Sequence, residues 1–235
     1  MFGREAAELL RRSHAAVFDA IETPAASPLP RPDQSLGSEI VRRLEHIHEQ
    51  VRIAVANNTT ALTLAVEQIA HWMDDKAIVR VLGAGRARLA AAIPANRLAH
   101  GGARVYMQDS IVPMPHSLHG GGIIAASASG QTPSVLSALT QARRKNREIR
   151  VVGIAAADAT SFKQNCDVFI ALPGTSGRDG LSALADIEEY AISELLDAIV
   201  VAAGRSLGYT DATWRLGHED LGPATGPYDH LGEAL

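Results

Sequence analysis

Among its 235 residues the chain has a single cysteine, Cys166, which excludes any disulfide within it. Asn165 precedes that cysteine at the entrance to an apolar run, the setting of a buried thiol rather than of a nucleophile. Aromatic residues are scarce at 4 %, against 46 % apolar residues in all. A core made of Ala, Leu, Ile and Val suits layered α/β packing better than an aromatic-rich sandwich. No stretch comes near the roughly 18 uninterrupted apolar residues of a membrane-spanning helix. The opening Met1-Phe2-Gly3-Arg4-Glu5 begins no apolar leader, so a cytoplasmic protein is expected. Charge of one sign is not in excess: the net charge is −4, which gives no support for nucleic-acid binding. The basic run Arg143-Arg144-Lys145-Asn146-Arg147 falls where a helix should end, and cations there complement the helix dipole. Neither H-E-x-x-H nor a cysteine pair is present, and His46 and His48 stand too close in sequence to share a helix face. Neither a metal nor a cofactor is expected. His116 and His119 lie in a loop rich in Pro and Gly and fit the lining of a pocket better than a metal site.

What the chain does have is a change of hydrophobic period. Residues 4–21 place Ala7, Leu10, Ala15, Phe18 and Ile21 at helical spacing. Pro24 to Pro32 holds four prolines and can be neither helix nor central strand. Helices are predicted over Leu36–Asn57 and Thr59–Met73, with Asn58, Thr59 and Thr60 as the caps between them. From there strand-like runs alternate with helical ones. Strands are predicted at Ala77–Leu82, Ala103–Met107, Gly122–Ser127, Ile149–Ala155 and Asp167–Ala171. Helices are predicted at 86–100, Thr132–Asn146 and Leu181–Leu207. The alternation implies five parallel strands covered on both faces, right-handed crossovers, and a site at the carboxyl ends of the strands. The organisation is then a helix and proline-rich linker over 1–35, a main domain over 36–221 and a turn-rich tail over 222–235.

Two turns carry chemistry. Ser127-Ala128-Ser129-Gly130-Gln131-Thr132 joins an apolar strand to a helix. Such a turn gathers hydroxyls, backbone N–H groups and a helix N-terminus around one point, which suits a phosphate. Gly83-Ala84-Gly85 closes the first strand in the same way. A dinucleotide fingerprint would need a third glycine where Arg88 stands, which counts against a nicotinamide dehydrogenase.

Together the turns resemble those of the sugar isomerase (SIS) domain family, which binds phosphosugars through an S-x-S-G-x-T loop like this one. Three further segments are similar to those of 6-phospho-3-hexuloisomerases: Arg97-Leu98-Ala99-His100, Asp109-Ser110-Ile111-Val112-Pro113 and Ile187-Glu188-Glu189-Tyr190-Ala191. The resemblance spans about residues 38–221. It implies a three-layer α/β/α fold with a five-stranded parallel sheet and extra N-terminal helices. It also implies a phosphorylated sugar as ligand and a homo-oligomer, dimer or tetramer, whose subunits share sites. Departures are Ala87, where the family usually has serine after G-x-G-R, and Gly120-Gly121-Gly122, where an acid usually precedes the strand.

Aldose–ketose isomerisation moves a proton between adjacent carbons through an enediolate, and it needs a base, an oxygen donor and an anchor. The resemblance makes Glu188 the base, with Glu189 expected to face solvent, and His218 the ring-opening residue reaching a neighbouring subunit. Gly83, Gly85, Arg86, Ser127, Ser129, Gly130, Gln131 and Thr132 form the expected phosphosugar cradle, with Arg97 as a further anion partner. The expected function is a phosphosugar isomerase of the 6-phospho-3-hexuloisomerase kind. Its alternatives are a non-catalytic, regulatory phosphosugar-binding protein and an isomerase of the phosphoheptose or arabinose-5-phosphate type.

Overall fold

The computed structural model describes residues 34–108, 121–174 and 186–217. The expected helix at 4–21, the proline linker and the tail at 222–235 lie outside the described residues. The chain divides into two compact units, Met1–Arg42 and Arg43–Leu235, and the sheet belongs to the second.

Two helices come first, α1 (Gln34–Asn57) and α2 (Thr59–Asp74). Strand β1 (Ile78–Leu82) leads through helix α3 (Gly85–His100) to β2 (Arg104–Met107). Then follow β3 (Gly122–Ser127), α4 (Pro133–Lys145), β4 (Arg150–Ala156), the single turn α5 (Thr160–Lys163) and β5 (Val168–Leu172). The last elements are α6 (Asp186–Ser206) and the short α7 (Asp211–Leu216). Every expected strand is present within a residue or two. Neither α5 nor α7 was foreseen, and the expected start of the last long helix at Leu181 lies outside the described residues.

All five strands are parallel, in the order β2-β1-β3-β4-β5. The chain reverses direction across the sheet after β2, so β1 and β3 flank the switch point. Their register pairs Leu82 with Ala125. Side chains alternate between the two faces, as a strand's period of two requires. Ile124, Ala126, Ile154 and Ile170 pack under α2, α3 and α6 through Ile69, Trp72, Leu98, Leu195 and Ile199. Ile123, Ala125 and Val151 pack on the opposite face with Val135 and Leu139 of α4 and Phe162 of α5. Gly122, the first residue of β3, has a packing cause. A Cβ on Gly122 would stand 2.0 Å from the ring of fully buried Trp72, so the indole occupies the space that a side chain there would need.

Asn58 corrects one sequence expectation. It occupies the N-cap position of α2, yet its side chain makes no capping bond. Its amide instead donates to the carbonyls of Ala54 and Ala171, at 2.7 and 2.8 Å. Its Oδ1 accepts the Ala171 N–H at 2.8 Å. Ala171 lies on the edge strand β5, so the buried amide takes the place of a missing neighbour strand. Asn58→Ala leaves both groups of Ala171 unpaired, at about 1–3 kcal/mol for each such group. The expected loss is about 2–4 kcal/mol of unfolding free energy in a urea titration. A loss under about 1 kcal/mol would show that water restores the bonds.

Candidate functional site

Because β1 and β3 are neighbours, the turns that follow them meet at one edge of the sheet. After β1, Gly83 lies so close to the helix it introduces that a Cβ would stand 2.9 Å from the Arg88 Cα. The close approach of helix to strand is thus carried by the first glycine of the turn. Gly85 follows at φ 56°, in the left-handed region. The Gln108 side chain accepts the Gly83 N–H at 3.3 Å. No side chain caps α3, whose N-cap residue is Ala84.

After β3, Ser127 is buried and its Oγ accepts the Gly130 N–H at 3.1 Å. The same oxygen lies 3.1 Å from the Thr132 hydroxyl. Ser129 Oγ accepts the Gln131 N–H at 3.2 Å, and the Ala128 carbonyl accepts from Ala156 on the adjoining strand. The loop is therefore held from inside by its own hydroxyls and from outside by β4. Thr132 is the N-cap residue of α4, but its hydroxyl turns to Ser127 and makes no cap bond. No side chain caps either helix at the switch point, and such ends attract anions; in α4, which opens on Pro133 with no N–H and sends the Val135 and Leu136 N–H groups to the Thr132 carbonyl, that leaves the Ser134 amide.

The start of α6 completes the arrangement. Glu188 is 3 % exposed, in the first turn of that helix. Glu189 corrects the expectation that it faces solvent. Its carboxylate accepts from Arg86 Nε at 2.7 Å, and its side chain is 16 % exposed. Arg86 is therefore in the first turn of α3 and tied to α6. Burial lifts the Glu189 carboxyl above its ordinary 4.5. Arg86 draws it back down through charge and hydrogen bond, and neighbouring Glu188 pushes it up. A raised carboxyl contributes stability that is fully present below its unfolded value and is lost as pH rises through its folded value. Arg86→Ala removes both lowering influences, so the Glu189 midpoint in a carboxyl NMR titration should move higher still. An unmoved midpoint would mean that the pair does not form in solution.

Arg97 is placed elsewhere. It lies eleven residues beyond Arg86 on α3, about 16 Å along the helix axis. There Asp197 of α6 accepts from its Nε at 2.6 Å. Arg97 thus ties the two helices together. His218 and the segment Asp109–Pro113 lie outside the described residues, as do His116 and His119. Strand pairing sets the turns after β1 and β3 side by side, and the Arg86–Glu189 pair ties the start of α3 to the start of α6, where Glu188 is the preceding residue. Cys166 is remote from them, against Gly153 and Phe162, and burial pushes its thiol up to about 12. Among the described residues no helix is long and apolar enough to cross a membrane.

No family model matches the sequence, and no curated protein does. Solved structures do match in fold. One is a Methanococcus jannaschii protein for which 3-hexulose-6-phosphate isomerase function was inferred. It is 20 % identical, with a TM-score of 0.62 over 77 % of this chain and 99 % of that one. Another is the Vibrio vulnificus NanR protein complexed with ManNAc-6P. It is 17 % identical, with a TM-score of 0.59 over 75 % of this chain and 67 % of that one. A third is the sugar isomerase domain of an RpiR transcription factor from Sphaerobacter thermophilus. It is 17 % identical, with a TM-score of 0.54 over 72 % of this chain and 97 % of that one. The likeness establishes the sugar isomerase fold for this chain.

Proposed function

We propose that the chain is a phosphosugar aldose–ketose isomerase of the 6-phospho-3-hexuloisomerase kind. The observation that carries this reading is the buried Glu188 beside the Arg86–Glu189 pair, at the sheet edge where the serine loop and the Gly83–Gly85 turn meet. The loop hydroxyls of Ser127, Ser129 and Thr132, with the Ser134 N–H at the start of α4, hold the phosphate. Anchoring the phosphate fixes the open chain of the sugar, so that proton transfer becomes an intramolecular step. Glu188 takes the proton from one carbon and returns it to the next. Arg86 donates to the oxygen on which enediolate charge develops. His218 is assigned ring opening on the family resemblance, a proton-transfer role that suits a histidine. A homo-oligomer follows from the same reading. It is supported by Leu89 and Ile93, more than half exposed on the α3 face that also bears Arg86, and by exposed Tyr190 next to Glu189.

A second reading rests on Ala87. It stands where the family usually has a serine hydroxyl, and on that resemblance one polar contact to a sugar is missing. That favours a phosphosugar-binding regulator without chemistry. One experiment separates the two. Five-, six- and seven-carbon sugar phosphates are screened by thermal shift against their unphosphorylated sugars, and each binder is assayed for turnover. A ligand at a hundred times its dissociation constant adds about 2.7 kcal/mol to stability. The isomerase reading expects a shift with a phosphorylated sugar and its conversion to the isomer. A shift without conversion supports the regulator, and the absence of any shift overturns the phosphosugar site.

A further inference from the structure

The basic run that ends α4 exceeds what its helix requires. A helix C-terminus carries the equivalent of about half a negative charge. Arg143, Arg144, Lys145 and Arg147 place four positive charges there, and Arg150 follows at the start of β4. The acids at this end are Glu148 and Asp167. On a chain of net charge −4 the cluster therefore holds a local surplus of three positive charges.

These residues do not all have the same task. Arg143 is a structural bracket. Its guanidinium donates to the carbonyl of Ile149 at 2.6 Å and to that of Asn165 at 3.0 Å. It also donates to the Asp167 carboxylate, 2.7 Å away. It thereby joins the end of α4 to the starts of β4 and β5. Asp167 is used up in this, because it also accepts the Val151 N–H at 2.7 Å and lies 3.5 Å from Arg150. Arg144 and Arg147 are exposed, and among the described residues neither pairs with an acid. With Thr140, Arg143 and Asn165 they line a surface depression of about 380 Å³. That size lies within the range of small-molecule sites, about 300–1,000 Å³.

We propose that this depression is an accessory binding site for a small phosphate-bearing anion, distinct from the site at the carboxyl edge of the sheet. Arg143 forms the fixed floor, held by three acceptors before any ligand arrives. Arg144 and Arg147 supply planar guanidinium forks that engage phosphate oxygens in pairs. The distance from the serine loop is set by α4 itself, which runs between the two places: thirteen residues, about 20 Å. One ligand of sugar-phosphate size cannot occupy both. A nucleic acid is the poorer fit, because no aromatic side chain lines the depression to stack on a base and the chain as a whole is acidic. The inference does not depend on what the serine loop binds.

The test uses the full chain and pyrophosphate, followed by titration calorimetry at low salt. The wild type is compared with Arg144→Gln/Arg147→Gln and with Arg144→Lys/Arg147→Lys; both changes are at exposed positions, and urea midpoints verify the fold. The expected result is at least a tenfold loss of pyrophosphate affinity in the glutamine variant and a clear loss in the lysine variant. Any thermal shift given by a sugar phosphate at the serine loop should be unchanged in both. Equal affinity in all three proteins overturns the site, as does no measurable binding to the wild type. Full affinity in the lysine variant also overturns it, since that result describes a diffuse charge effect. So does tighter binding of a single-stranded oligonucleotide than of pyrophosphate, lost in the glutamine variant.

Discussion

Glu188→Gln is expected to lower isomerase turnover by about a thousandfold while leaving the fold and phosphosugar binding in place, the midpoint of what a positioned general base contributes. That factor corresponds to about 4 kcal/mol of transition-state stabilisation. The substitution keeps shape and hydrogen-bonding capacity at a position that is almost wholly buried, so packing around the start of α6 is preserved. What it removes is the ability to accept a proton. The measurement is kcat and KM on the sugar phosphate identified by the screen, with a urea midpoint as the folding control. The expected pattern is a fall in kcat with KM little changed, because the phosphate anchor lies on another loop. Glu189→Gln is the internal comparison. Its carboxylate is held by Arg86, and its loss should affect turnover less than that of Glu188. If the two variants fall equally, the base has been assigned to the wrong carboxylate. If Glu188→Gln retains turnover, the mechanism fails altogether.

The neighbouring carboxylates show how far a sequence reaches. Their place at the start of a helix could be read from the residue pattern, and so could the parallel sheet, because alternation of strand-like and helical runs is a local signal repeated many times. Which carboxylate turns inward, and what the other one meets, depends on how α6 lies against α3. That is a long-range fact: Arg86 and Glu189 are a hundred residues apart in sequence. The Asp197 partner of Arg97 is long-range for the same reason, 100 residues away with nothing near Arg97 to announce it. Asn58 was misread because its local surroundings favour a cap, and the buried edge of β5 offers it two better bonds. The single turns α5 and α7 are too short to display a hydrophobic period. A usable signal existed for α7, where Thr210 and Thr213 form a reciprocal cap. Gly122 stands out in a departure from the family pattern, but its cause, the ring of Trp72, comes from another element.

Gly130→Ala should cost about 3 kcal/mol of stability and also weaken phosphate binding, because strain and steric overlap act at the same point. Gly130 has φ 65°, where an L-residue costs about 1–2 kcal/mol. The added methyl would also stand 2.2 Å from the Cβ of Ala159, a buried residue at the head of α5 that cannot swing aside as a long side chain would. Relief requires the loop to move outward. That movement breaks the bond from the Gly130 N–H to Ser127 Oγ, and with it the link between Ser127 and Thr132. The hydroxyls and the Ser134 N–H at the start of α4 then no longer converge. Urea unfolding reads the first effect, and the affinity for the sugar phosphate reads the second. The double variant Gly130→Ala/Ala159→Gly separates the causes. Removing the Ala159 methyl takes away the worst overlap but neither the tight approach of Ala155 Cβ at 3.2 Å nor the backbone strain, so it should restore part of the stability and part of the affinity. If it restores neither, the loop is held by something other than this contact. If Gly130→Ala alone binds and unfolds like the wild type, the left-handed turn is not what shapes the serine loop.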